Sequence, residues 1–429
     1  DTVDAGYLYW QIQALQHSQS DLVDGDDTIP VELSFDVVDG DGDRATSSFT
    51  VTVEDDGPII VEPTTGSIDE DDLLLSPEEA ENDGFVLSTQ TYNDPQDQQA
   101  DSEDFTPAST TESLNVDFGA DGPGSIKILT EGAPEGLESQ NEAIYYELSD
   151  DGQTLTAKAG GDDSDVRTVF TLELNVNGNG ANYTFTLLDT LDHPDTGSED
   201  DIPLDFDFNV VDGDGDSAQG SFTVLVNDDV PVADLAVEDG AEIVLDESED
   251  GDDSGDFLAS VTVAGSALFA NNSTFGADGE ADVNSTVYSL VLNAGNSNIF
   301  DVATGDQVVL TLVDGDVVGS TEGDEEVVRI TVDAETGEVT VTQSRALAHD
   351  DTEDHDEASS PEMIAAGLVE MMVTVTDGDG DTDSDSAELG TLIKFEDDGP
   401  TVSDNATVQL DDGALTGGNV GGIDDVDPD

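Results

Sequence analysis

The 429-residue chain has no cysteine, only 7 basic side chains and an aromatic content of 5%. It also has no apolar run near the ~18 residues that would cross a membrane. Each absence excludes something. Without cysteine no disulfide can staple the fold and no thiol chemistry is open to it. Seven Lys and Arg against 104 Asp and Glu leave a formal net charge of −97. That sign repels nucleic-acid phosphate and anionic lipid, so no nucleic-acid partner and no direct membrane insertion are expected. Self-repulsion of this size works against a compact state unless counter-ions bind. Divalent cations are therefore the first partner to consider.

An acidic chain poor in aromatics could simply be disordered, but what is present argues otherwise. Ile29, Val31, Leu33, Phe35 and Val37 alternate with polar residues, as do Phe49, Val51 and Val53. This is the period-two signature of half-buried strands. Between the two runs stands Asp39-Gly40-Asp41-Gly42-Asp43, and Asp55-Asp56-Gly57-Pro58 follows them. The pattern returns at Asp212-Gly213-Asp214-Gly215-Asp216 with Asp228-Asp229-Val230-Pro231, and at Asp377-Gly378-Asp379-Gly380-Asp381 with Asp397-Asp398-Gly399-Pro400. A second landmark, Phe-Gly-Ala-Asp-Gly, occurs at 118–122 and 275–279.

The chain thus reads as a slice of a tandem array. Residues 1–57 are expected to be the C-terminal part of a repeat, 58–230 and 231–399 two complete repeats, and 400–429 the start of another, with Asp411-Asp412 where Asp69-Glu70 and Asp246-Glu247 stood. Neither a signal peptide nor a natural start is recognisable at the first residue. Further strands are expected at 126–129, 168–176 and 183–188, and a short helical turn capped by Ser76 before Pro77-Glu78-Glu79. Strands separated by Gly/Asp/Asn turns, with almost no amphipathic helix, predict an all-β tandem array of elongated β-sandwich domains. At about 170 residues each repeat exceeds a minimal immunoglobulin-like domain. The stretches 88–180 and 260–345 read as insertions.

Alternating Asp and Gly suits Ca2+, a hard cation taking six to eight oxygens: the aspartates supply carboxylates and the glycines let the backbone curl. The loops are not EF-hands, which need Gly at the sixth position and Glu at the twelfth; the first two loops have neither, and the third has Glu388 at the twelfth but Thr382 at the sixth. Strand length decides which acids can meet. A strand from Ala45 to Val53 spans roughly 30 Å, so a loop and the junction after it lie at opposite poles. The preferred shared sites therefore pair Asp55 and Asp56 with Asp212, Asp214 and Asp216, and Asp228 and Asp229 with Asp377, Asp379 and Asp381. Asp69, Glu70, Asp246 and Glu247 are candidates to complete them. Asp39, Asp41 and Asp43 and the last junction, Asp397 and Asp398, are the same ligand types without their partners in the chain. The alternatives are that each loop binds its ion alone, or that the Asp-Gly stretches are ordinary solvated turns.

His17, His193 and His349 each stand two residues after a leucine, and with only His355 besides no repeat has the His cluster of a zinc site; packing or turn roles are expected. Carboxylates are too abundant for any pair to mark a glycosidase, no nucleophile motif accompanies Ser, His and Asp, and no enzyme is expected.

The "VVDGDGD…FTVTVEDDGP" block, the "FGADG" turns, the Leu-x-His segments and "LDDGALTGGNVGGIDD" near the end together resemble the tandem repeats of bacterial type I-secreted giant adhesins, the RTX adhesins. The resemblance covers essentially the whole chain. It implies immunoglobulin/cadherin-like sandwiches joined by short calcium-binding acidic junctions. It also implies an extracellular, cell-surface place, export in the unfolded state, and calcium-stiffened extension in adhesion or biofilm formation. The partners expected are neighbouring repeats of the same chain and surface glycans or proteins of a host or biofilm. Two other readings stay open: a ligand-binding module within such an adhesin, and head-to-tail self-association into a surface filament.

Overall fold

The computed structural model describes residues 6–15, 28–74, 107–161, 166–194, 199–247, 258–349 and 360–397. The Ser76 turn, His17, His355, Asp398 and all of 400–429 lie outside the described residues. Strands Thr28–Val38 and Arg44–Glu54 pair antiparallel in unbroken register, Ile29 opposite Val53 and Leu33 opposite Phe49. The alternation puts the apolar residues of both strands on one face.

The next core, built from residues between Ile68 and Val226 with Ala277 of the following repeat added at its edge, is a sandwich. One sheet runs Gly66–Asp69, Ser217–Asn227, Asp201–Asp212, Pro123–Leu129 in spatial order; the other runs Tyr145–Leu148, Thr154–Ala159, Arg167–Asn177, Gly180–Leu187, Ala108–Ser113. Leu204, Phe206, Phe208 and Val210 alternate inward on Asp201–Asp212 and meet Phe170, Phe185 and Tyr183 of the facing sheet. The Phe170 and Phe206 rings pack edge to face at 6.2 Å, and Tyr183 stacks on Phe222 at 4.1 Å. Each such buried ring is worth roughly 1.5–3 kcal/mol of transfer free energy.

A second core spans Leu235 to Phe395 and is mostly aliphatic, with Phe269 and Phe395 as its buried rings. Its five-stranded sheet runs Ala259–Val263, Val339–Gln343, Glu326–Val332, Asp316–Ser320, Val309–Val313, and the opposite side holds Thr286–Leu292, Val369–Thr376 and Thr382–Glu388. The strand order is the same as in the first sandwich. One difference is local. Ser217–Asn227 is a single strand that pairs antiparallel with Asp201–Asp212 and parallel with Gly66–Asp69. In the second sandwich a 3-10 turn at Gly390–Leu392 splits that role: Thr382–Glu388 pairs with Val369–Thr376, while Ile393–Glu396 pairs in parallel with Ile243–Asp246.

The stretches read as insertions hold, within the described residues, Pro123–Leu129 and Thr286–Leu292 of one side and most of the five-stranded halves of the two sandwiches. Their outward faces are rich in Ser and Thr, paired across strands as Ser109–Thr186, Thr111–Thr184, Ser260–Thr342 and Thr262–Thr340. Hydroxyl residues on the solvent side weaken the apolar run that would betray a strand.

Candidate metal centres at the repeat junctions

The hairpins carry their Asp/Gly loops at one end and deliver the acidic junction at the other. Asp212 and Asp377 close their loops in the same way. Asp212 Oδ1 accepts from the Gly215 and Asp216 N–H groups, both at 2.9 Å. Asp377 Oδ1 accepts from those of Gly380 and Asp381 at 3.0 and 2.7 Å. Gly215 and Gly380 adopt φ of +120° and +114°, a conformation costly for any other residue.

What each loop meets is the preceding junction, and the Phe-Gly-Ala-Asp-Gly turn is the socket between them. At the first junction Ala120 N–H donates to Asp56 Oδ2 at 2.7 Å, and a Cβ on Gly119 would fall 2.3 Å from that oxygen. At the second, Ala277 N–H donates to Asp229 Oδ2 at 2.5 Å, and a Cβ on Gly276 would fall 1.5 Å away. Both glycines are needed for φ (+74° and +69°) as well as for space. The turn then brings its own aspartate into the gap. Asp55, Asp56 and Asp121 each offer an oxygen within 4.8 Å of the others, as do Glu70, Asp228, Asp229 and Asp278.

The second junction is the more deeply buried. Glu70, Asp228, Asp229 and Asp377 are wholly inaccessible and Asp381 is 1% exposed. Glu70 Oε2, Asp229 Oδ1, Asp278 Oδ2, Asp377 Oδ2 and both oxygens of Asp228 and Asp381 lack a hydrogen-bond donor. Burial, then the facing Asp381, Asp379 and Glu70 carboxylates, push Asp228 up to about 10; burial and Asp379 raise Asp377 to about 8. Burial drives Glu70, Asp229 and Asp278 well above the usual carboxylate range, with Asp278, Glu70 and Asp229 respectively as the leading charged neighbours. At the first junction burial, helped by Asp214, Asp56 and Asp212, raises Asp121 to about 6. Buried carboxylates without donors are unstable as anions unless a cation joins them. These donor sets, all oxygen and drawn from two repeats, fit a hard divalent ion.

The structure therefore brings Asp228 and Asp229 together with the Asp377–Asp381 loop, and Asp56 with the Asp212–Asp216 loop through Asp121. Glu70 joins at the pole where its repeat ends, because Gly66–Asp69 runs parallel to Val224–Asn227 and ends beside Asp228. Glu247 likewise ends beside Glu396 and forms a group with His349 and Asp397. Asp69 and Asp246 are separated from these groups, since successive strand residues face opposite ways. Asp69 sits half-buried, with burial, Asp72, Glu199 and Asp201 raising it to about 6. Asp246 pairs in register with Glu396. Asp39, Asp41 and Asp43 form an exposed group of their own.

Sequence reasoning missed Asp121, Asp278 and His193. The repeated FGADG turn was a visible signal for the first two, with no indication of what it faced. His193, expected to pack, lies inside the cluster: its N–H donates to Asp379 Oδ2 of the next repeat at 2.9 Å. Leu191 N–H donates to Glu70 Oε1 at 2.9 Å, and Leu347 N–H to Glu247 Oε1 at 2.9 Å. The Leu-x-His segments are thus the clasps that hold each buried glutamate.

No curated protein matches the sequence. Similar solved structures include mouse clustered PcdhgC3 EC1-3 (12% identity, 88% of this chain and 80% of that chain, TM-score 0.21). Others are mouse protocadherin-24 EC1-3 (10%, 88% and 80%, 0.23) and mouse cadherin-23 EC22-24 (13%, 70% and 78%, 0.19). Residues 83–224 and 242–390 each match the family described as Domain of unknown function (DUF5801), and the chain, carrying two copies in tandem, belongs to that family.

Proposed function

We propose that the chain is a passive extender of an extracellular bacterial adhesin, stiffened by Ca2+ at its repeat junctions. The observation that carries this reading is the second junction, where buried carboxylates of one repeat face buried carboxylates of the next and many of their oxygens lack a donor. A cation there ties Asp228 and Asp229 to Asp377, Asp379 and Asp381 and removes hinge freedom. The first junction repeats the arrangement with Asp56 and Asp121. The extracellular place and the RTX-adhesin role come from the resemblance of the sequence. Calcium at millimolar level over sites of about 10⁻⁴–10⁻³ M affinity would add on the order of one kcal/mol or more per site.

The test is solution scattering and thermal unfolding of the whole chain with Ca2+ and with chelator. Chelation should lower the melting temperature and broaden the distribution of overall dimensions; indifference to chelator would sink the reading. One observation favours a ligand-binding module instead: a groove of about 330 Å³ in the second repeat, lined by Glu238, Ser266, Asn271, Tyr288 and Thr336 among others. A glycan-array signal lost on Tyr288→Ala, with calcium response unchanged, would establish that role.

A further inference from the structure

At the second junction one buried nitrogen does not belong to an oxygen-only site. His193 is 5% exposed and its ring is wholly inaccessible. Its Nδ1 lies 3.1 Å from Asp200 Oδ1, a hydrogen bond that fixes the proton on Nδ1 when the imidazole is neutral. Nε2 is then a lone pair, and it has no hydrogen-bond partner. The nearest acid, Glu70 Oε1, is 3.9 Å from it, beyond hydrogen-bond reach. A core histidine that merely packs would have both nitrogens satisfied. Glu70, His193 and Asp228 each offer one ligand atom within 4.8 Å of the others and all three are buried, with Asp228 Oδ2 lying 3.9 Å from the Nδ1 side of the ring.

We propose that Glu70, His193 and Asp228 form a second kind of metal position, for a borderline transition ion such as Zn2+, beside the all-oxygen group. A hard cation gains little from an imidazole, whereas Zn2+ takes one nitrogen and two carboxylates readily. The Asp200–His193 hydrogen bond is the carboxylate–histidine arrangement that orients such a ligand. The constellation also recurs. Glu247, His349 and Asp397 offer ligand atoms within 4.8 Å of one another, with His349 Nε2 at 3.7 Å from Glu247 Oε1. Glu70 and Asp228 would be shared with the neighbouring carboxylates, so the two ions would sit side by side. The proposal does not require calcium to fill the rest.

The test uses the full chain, stripped of metal and titrated with Zn2+ alone by calorimetry, alongside His193→Gln. The wild type should show two tight binding equivalents; His193→Gln should weaken one of them at least tenfold and leave the other, and His349→Gln should do the reverse. Equal titrations would mean an adventitious ion only and overturn the proposal. Because His193→Gln could impair folding, wild-type crystals soaked in Zn2+ provide an independent decision. An anomalous peak about 2.0–2.1 Å from His193 Nε2 is expected; zinc found only on other carboxylates, or no peak at His193, overturns it.

Discussion

The loops Asp39–Asp43 and Asp377–Asp381 have the same five residues and opposite electrostatics. Both close by hydrogen bonds from the backbone to the first aspartate: Asp39 Oδ1 accepts from Gly42 and Asp43 N–H at 3.1 and 2.9 Å, as Asp377 Oδ1 does from Gly380 and Asp381. In the exposed loop the Asp41 side chain and backbone N–H groups hold Asp39 below its ordinary range. In the buried loop desolvation and Asp379 raise Asp377 to about 8. The motif supplies the local turn in both cases. Among the described residues only the second loop faces a preceding junction, and that contact is what buries Asp377 and Asp381.

The largest test of this contrast is chelation. If each buried site binds at a hundred times its dissociation constant, its loss removes about 2.7 kcal/mol. Two sites should lower the melting temperature by on the order of 10 °C. Hydrogen exchange should show the loss of protection at Asp377–Asp381 amides and none at Asp39–Asp43.

Next comes glycine. Gly276→Ala drives a Cβ into Asp229 Oδ2 at φ +69° and should cost about 3 kcal/mol together with the calcium response. Gly42→Ala, at φ +98° in open space, should cost about 1 kcal/mol and leave calcium binding intact. Denaturant midpoints of the two variants make the comparison. A smaller effect is expected from charge alone. Asp377→Asn should weaken calcium binding about tenfold, near 1.4 kcal/mol, yet raise stability in chelator by relieving repulsion. Asp39→Asn should alter calorimetric titrations of the junction sites not at all.

The last contrast is pH. In chelator, Asp228 and Asp377 have folded pKa values of about 10 and about 8 against 3.8 when unfolded. Between those limits the folded state holds more protons, so stability falls as pH rises from about 5 to 8. Asp39, lowered, contributes in the opposite sense: its stabilisation is present above its ordinary value and lost as pH falls. Urea midpoints at pH 5 and 8 in chelator should therefore decrease; a rise would mean the junction carboxylates are not buried together. With Ca2+ the fall should vanish, because the ion replaces the protons.

Much of this was legible in the residues. The alternation at 202–210 and 222–226 marked the central hairpin of the first sandwich, and strand length placed each loop opposite the following junction and against the preceding one. What could not be read had physical causes. Ala108–Ser113 and Thr154–Ala159 hide their apolar side among threonines and alanines. Glu70 lies at the far pole from where its position near the start of the repeat suggests, because a parallel pairing with Val224–Asn227 carries it there. The role of Asp278 depends on a turn meeting a junction about fifty residues upstream in chain order, a contact that no local pattern encodes.

That parallel pairing has a mechanical meaning. In each sandwich an early strand and the last strand lie side by side in the same direction: Gly66–Asp69 with Val224–Asn227, and Ile243–Asp246 with Ile393–Glu396. A pull on the two ends of a repeat drags these neighbours in opposite senses along their length. The backbone hydrogen bonds between them are then loaded together, in shear, instead of being opened one at a time like a zip. A chain of such repeats under tension carries its load through the short parallel ladders, next to the poles where the acidic junctions meet.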